Sequence, residues 1–369
     1  MAQKAAAASS SARRSSQEAP LAVKPDTPPM EAKLVDSLPA GEGWQFEPKW
    51  DGFRCLVFRN DGALELRAKS GKPLSRFFPE VVSALLALPV RRFVVDGELA
   101  IPVGDSLSFD ALQLRLHPAE SRVRRLANQT PAVLILFDCL LDGDGRSLLD
   151  APLCERRGAL EAFFSSLRSP GLLRLSPYTR SRKEAQRWLD SAGGALDGVV
   201  AKRIDGPYAS GERAMLKVKR MRTADCVVGG FRYESDGDQV GSLLLGLYDT
   251  QGKLHHVGFV SSIATRDRPA LTKQLEKLIE RPGFTGSAPG APSRWSTARS
   301  SDWEPLKPTL VAEVRYDHVS GDRFRHGAKF VRWRPDKAPR QCTFEQLQAP
   351  LRAGKLVREA LHRDARRAR

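Results

Sequence analysis

The sequence predicts an α+β chain, with a first domain of antiparallel sheets and flanking helices and then a small β-barrel. Three observations predict it. The 369 residues suffice for two domains with cores of their own. Over 28–225, runs with strand periodicity alternate with runs of helical periodicity. Over 226–345 the texture changes to short strands separated by turns, a length that suits a closed or partly open barrel.

Taken in order, the opening MAQKAAAASSSARRSSQEAP has no apolar core, so it is not a secretory signal. Residues 1–27 are expected to be a disordered basic tail, although their Ala/Ser/Arg bias faintly resembles an organelle transit peptide. The Pro-rich PDTPPM at 25–30 ends it. RCLVFRNDGALELRAK (54–69) alternates around Asn60-Asp61-Gly62 and reads as a hairpin. In FFPEVVSALLAL, Phe78, Val81, Val82, Leu85 and Leu86 fall on one helical face. RRFVVDGELAIP reads as a short strand with a polar end, and the unbroken apolar PAVLILFDCLL as a buried strand. ERRGALEAFFSSL and SRKEAQRWLDSA read as helices, LDGVVAKRIDG and AMLKVKRMRTADCVVGGFR as strands. In the barrel, VGSLLLGLYD, KLHHVGFV and LVAEVRYDHV read as strands and DRPALTKQLEKLIE as a helix, with a Pro/Gly/Ser loop at 281–300. Residues 346–369 read as a basic C-terminal helix or tail, either a solvated charge run or an arm that touches DNA.

A formal net charge of +16 attracts polyanions such as nucleic acid or an anionic membrane surface. No run reaches the length of a membrane-spanning helix. The five cysteines are odd in number, far apart and without a CxxC spacing, which argues against a zinc ribbon or a disulfide framework and fits a reducing interior.

Four charged segments stand out. Lys49-Trp50-Asp51-Gly52-Phe53-Arg54 reads as the start of a strand, Asp96-Gly97-Glu98 ends one, Asp197-Gly198 opens another, and Lys217 and Lys219 lie on a further one. Side chains two apart on a strand share a face. Two ammonium groups pointing the same way repel unless an anion sits between them, and phosphate is the natural candidate. Glu98 and Asp197 adjoin apolar strand residues and so border a cleft. Carboxylates beside a phosphate call for a bridging divalent metal. The Asp-Gly pairs allow a tight bend or close approach of a ligand. Lys49 is the candidate nucleophile, because the neighbouring cations Arg54, Lys217 and Lys219 favour a neutral amine. Its attack on an α-phosphate would give a phosphoramidate, whose P–N bond breaks readily once protonated.

Each piece alone has a plainer reading. Lys49–Arg54 could be a surface ion pair, Asp96–Glu98 a hairpin turn, Lys217 and Lys219 the exposed face of an edge strand, and Phe137 simple core. Their order and spacing together are far more specific.

Together these segments resemble the nucleotidyltransferase signature of ATP-dependent DNA ligases, most closely the short stand-alone bacterial kind, over about 30–345. The resemblance implies an ATP-grasp-like adenylation domain followed by an OB-fold barrel, and it implies that Lys49 becomes adenylylated. Glu98, in Val95-Asp96-Gly97-Glu98, would bind the AMP ribose and help the metal, with Asp197 as the other metal carboxylate. Phe137 in LILFDCL would stack on adenine. Lys217 and Lys219 would hold the α-phosphate, and Glu47 joins the nucleotide contacts. Arg334, Asp336 and Lys337, in Phe330-Val331-Arg332-Trp333-Arg334-Pro335-Asp336-Lys337, would orient the pyrophosphate. Arg54 and the basic Lys69 would meet the ribose and the 5′-phosphate of a nick. Two positions depart from the family pattern. Asp197 stands where Glu is usual and is one methylene shorter, so a metal contact would need water or a small backbone shift. Lys69 stands where Arg is frequent, which keeps the charge and loses the bidentate geometry.

The resemblance further implies nick sealing in DNA repair with ATP and Mg2+ (or Mn2+), by phosphoryl transfer to Lys49, then to the 5′-phosphate, then attack by the 3′-OH. A monomer in the cytoplasm, at the bacterial nucleoid, acting on nicked double-stranded DNA beside separate end-joining proteins, is expected. The alternatives are an RNA ligase or RNA-capping guanylyltransferase of the same superfamily, or a non-catalytic OB-fold nucleic-acid-binding protein.

Overall fold

The computed structural model describes residues 19–104, 106–192, 196–290 and 302–347. In chain order the first domain holds β1 (Ala32–Leu34), β2 (Trp44–Trp50), β3 (Phe53–Asn60), β4 (Ala63–Ala68), α1 (Pro79–Leu86), β5 (Arg92–Ala100), β6 (Pro102–Val103) and β7 (Ser106–Leu107). It continues with α2 (Phe109–Leu114), α3 (Glu120–Gln129), β8 (Val133–Leu141), α4 (Leu153–Ser165), β9 (Leu173–Leu175), α5 (Arg182–Asp190), β10 (Leu196–Arg203) and β11 (Met215–Lys219). The second domain holds β12 (Arg222–Tyr233), β13 (Val240–Tyr248), β14 (Leu254–Val260), α6 (Arg268–Glu276), β15 (Glu304–Pro305), β16 (Val311–Tyr316), β17 (Val319–Ser320), β18 (Arg323–Phe324) and β19 (Lys329–Trp333).

Two sheets make the first domain. One runs β1-β11-β10-β2, the other β4-β3-β5-β8-β9; each is antiparallel except for one terminal parallel pair. All nine residues of β8 are buried, because it is covered on both faces. Leu134 and Leu136 enter the core beneath α1 and α4, whereas Ile135 and Phe137, one step out of phase, face the other way. The first-named sheet packs its back on α5 through Phe46, Val199, Ala201, Val218 and Trp188. The barrel sheet runs β14-β13-β12-β16-β19 around its own apolar cluster.

Some expectations shift. Lys49 lies near the end of β2, and a new strand starts at Phe53. The packed chain begins before residue 27, since Val23 is 1 % exposed in a cluster with Leu56 and Val94. The first barrel strand starts at Arg222, so the texture change at 226 falls inside a continuous element. On α1, Val81 and Leu85 are buried, but Leu86 is 40 % exposed: the apolar residues of this short helix spread over more than one face. The expected helix at 351–369 and most of the N-terminal tail lie outside the described residues. Among the described residues no helix is long and apolar enough to cross a membrane.

Candidate active site

The two sheets of the first domain face each other across a cleft of about 1130 Å³. Strand β2 sets one wall. Gln45, Glu47 and Lys49 alternate onto one face of it. Across β10 and β11, Lys49 lies opposite Gly198 and Gly198 opposite Lys219; Glu47 lies opposite Val200 and Val200 opposite Lys217. Antiparallel register thus assembles the cations that are far apart in sequence into two adjacent rows.

Asp197 reaches this face through a backbone irregularity. Register shifts between Leu196 and Gly198. Gly198 adopts φ 152°, and a Cβ there would sit 2.0 Å from the carbonyl oxygen of Val218, so only glycine fits. Lys49 Nζ donates to Asp197 Oδ2 at 2.7 Å, and Lys219 Nζ lies 3.3 Å from the same oxygen. Burial pushes the Asp197 carboxyl up, but the ammonium groups of Lys49 and Lys219 outweigh it and hold the carboxyl below its usual range. The half-buried Lys217 is shifted down by burial and by Lys49 and Lys219.

The opposite wall comes from β3, β5 and β8. Arg54 lies opposite Glu98, and both line the cleft with Phe53 and Phe137. Arg54 grips the buried Asp96 through Nε at 2.6 Å and Nη2 at 2.5 Å, and the Tyr208 hydroxyl donates to Asp96 at 2.6 Å. Its guanidinium lies 4.7 Å from the Phe137 ring centre. Glu98 is held less firmly. Burial pushes its carboxyl up to about 7, with Lys49 and Arg54 opposing. A carboxyl held in this way is stabilised by an incoming cation.

The cleft and its surroundings therefore offer an amine aimed at a carboxylate, a row of cations, a buried acid and an aromatic wall. The ATP dependent DNA ligase domain matches residues 29–219, and the ATP dependent DNA ligase C terminal region matches 236–337. The chain belongs to the ATP-dependent DNA ligases. It is similar to DNA ligase C2 of Mycolicibacterium smegmatis, 45 % identical over 89 % of this chain and 96 % of that one. It is similar to DNA ligase C of Mycobacterium tuberculosis, 43 % identical over 90 % of this chain and 96 % of that one. A multifunctional non-homologous end joining protein LigD of M. smegmatis is 31 % identical over 82 % of this chain, which spans 37 % of it. A solved Lig E DNA ligase shares the fold at TM-score 0.50, 18 % identity, 81 % of this chain and 100 % of its own.

The ligase does not bring every expected residue to the cleft: Asp197 and Lys219 lie outside its lining, Asp197 in a neighbouring pocket with Asp317. Arg334 and Lys337 are bound to Asp225 of the barrel, at 2.9 and 2.8 Å, and Arg334 also grips Asp336 at 2.8 Å. That hydrogen bond holds the exposed Asp336 carboxyl down to about 2. Arg54 is expected to meet the nick, but its donors are largely committed to Asp96. Lys69 lines the cleft in an ion pair with Glu31 at 2.9 Å. Lys219 has carboxylates as neighbours, so a phosphate is not the only partner that offsets its repulsion with Lys217.

Further residues, beyond those expected from sequence, surround the site. Lys202 Nζ pairs with Glu47 at 2.9 Å and donates to the Phe137 carbonyl at 3.3 Å. It lies 3.8 Å from Asp138, which Arg156 clamps at 2.8 and 3.2 Å. The signal for Lys202 was present, since it alternates with Val200 and Gly198 along β10. From the barrel, Asp317 meets Lys219 at 2.6 Å and Arg325 grips Asp51 at 2.7 and 3.0 Å. Nothing in sequence spacing links those pairs. Among the described residues no group of three or more His, Cys, Asp or Glu stands ready to hold a metal alone. One or two carboxylates plus nucleotide phosphates is nevertheless the usual Mg2+ donor set, and Glu98 in the cleft fits it, whereas Asp197 Oδ2 is taken by Lys49 and Lys219.

Proposed function

We propose that the ligase seals nicks in duplex DNA through a lysyl-AMP intermediate on Lys49. The observation that supports this most is the row Lys49–Asp197–Lys219 across β2, β10 and β11. Lys49 Nζ attacks the α-phosphorus of ATP, a P–N bond forms, and the bond to the β-phosphate breaks as pyrophosphate leaves. Asp197 Oδ2, already accepting from that ammonium at 2.7 Å, is the nearest group to take its proton. Lys217 and Lys219 hold the α-phosphate, Phe137 stacks on the base, and Glu98 binds the ribose. Glu47, oriented by Lys202 and by Gln45 at 2.8 Å, completes the nucleotide contacts. Glu98 would hold Mg2+ (or Mn2+), which neutralises charge on the phosphates when bound. Arg334, Asp336 and Lys337 orient the pyrophosphate once Arg334 and Lys337 leave Asp225.

AMP then passes to the 5′-phosphate of the nick, met by Lys69 and Arg54, and the 3′-OH displaces it. The work is positioning and charge neutralisation. Relatives named for DNA ligase C and for end joining support a role in DNA repair, and we take the ligase to act as a cytoplasmic monomer at the nucleoid beside separate end-joining proteins. Incubation with labelled ATP, GTP or NAD tests the reading. A covalent AMP adduct from ATP alone, absent in Lys49→Ala, is expected; no adduct from the wild type overturns it.

A further inference from the structure

Lys219 is held from two domains. Its ammonium lies 3.3 Å from Asp197 in the adenylation domain and 2.6 Å from Asp317 in the barrel. Asp197 offers the same oxygen, Oδ2, to both Lys49 and Lys219. Asp317 supplies Lys219 with a second acceptor, at the shorter distance. Asp317 is anchored in turn by His326 Nδ1 at 3.1 Å. Its carboxyl is pushed up by burial but held far down by the hydrogen bonds from His326 and Lys219.

In the same arrangement Arg334 and Lys337 lie on Asp225 within the barrel, and neither lines the cleft. A step that needs those two beside the pyrophosphate is therefore not the step that has Asp317 on Lys219. We propose that Asp317 is a positioning residue for Lys219 in the DNA half of the reaction, fixing where that cation meets the phosphoryl group while AMP is displaced. This rests on the lysyl-AMP reading above. A carboxylate so close to a phosphoryl site is otherwise unfavourable, and pairing with Lys219 removes that cost.

The test separates the halves of the reaction in the full chain. Lysyl-AMP formation from ATP is timed in Asp317→Asn, and single-turnover sealing of a pre-adenylylated nicked duplex is timed at saturating DNA. Adenylylation no slower than wild type, sealing slowed by about tenfold or more, and recovery of sealing in Asp317→Glu are expected. Equal loss in both halves would mark a merely structural role, and unchanged sealing would remove any role; either result overturns the proposal. Adenylylation serves as the folding control. Failure of the wild type to form lysyl-AMP would instead sink the underlying reading, independently of Asp317.

Discussion

Glu98 is the acid whose surroundings disagree most with its charge. Its carboxyl, ordinarily at 4.5, is raised to about 7 by burial. Between those values the unfolded chain has released the proton and the folded chain retains it, so fewer protons are bound on unfolding and stability falls as pH rises. The contribution is fully present below 4.5 and lost as pH passes about 7. Glu98→Gln should flatten that part of the stability curve in ligand-free protein, measured by urea midpoints across pH; an unchanged slope would refute it. Gly198 sets a second constraint. Gly198→Ala forces a side chain into φ 152° and against the Val218 carbonyl, so β10 and β11 must part and Asp197 must shift. Backbone strain alone costs about 1–3 kcal/mol, and the AMP adduct should fall with the thermal midpoint. At this scale the lysines and acids could be read from strand spacing. Asp317 and Arg325 could not, because ion pairs between domains leave no periodic trace.

At the scale of elements, β8 and α4 are joined by a charge network that fixes the cleft floor. Asp138 and Arg156 have side chains only 1 % exposed, and Lys202 links them to Glu47. The nine apolar-rich residues of β8 predicted a buried strand, and the helix at ERRGALEAFF was equally plain. What stayed hidden is that Arg156 of that helix turns inward: a charged residue on a helix is usually solvated, and only a partner on a distant strand reverses this. Arg156→Met leaves Asp138 buried with a weaker partner and should destabilise by about 3–5 kcal/mol. The double substitution Asp138→Leu with Arg156→Met should lose less than the single one. Guanidinium unfolding of the set measures this, and a single variant as stable as wild type would show that Lys202 alone satisfies Asp138.

For the whole molecule, the two domains compete for a limited set of cations. Net charge +16 favours DNA, and nick binding should weaken steeply with salt. Lys69→Ala should lower the slope of log affinity against log salt by about one unit, as one phosphate contact is removed. Of the remaining cations, Arg325 is held across the two domains and Arg334 and Lys337 within the barrel. Here Asp225 holds both Arg334 and Lys337 while Asp51 holds Arg325. Asp51–Arg325 joins the two domains and favours their present arrangement, whereas Asp225 holds Arg334 and Lys337 within the barrel, away from the cleft. Removing the Asp225 charge loosens only that contact within the barrel and frees the two cations. Asp225→Asn should therefore speed lysyl-AMP formation from ATP by about fivefold or more, a coupling energy of ordinary size. Sealing of a pre-adenylylated nick should stay level, because no contact between the two domains is removed. A variant slowed in adenylylation would mean instead that Asp225 helps Arg334 and Lys337 reach the pyrophosphate, and restraint would be the wrong description of that contact.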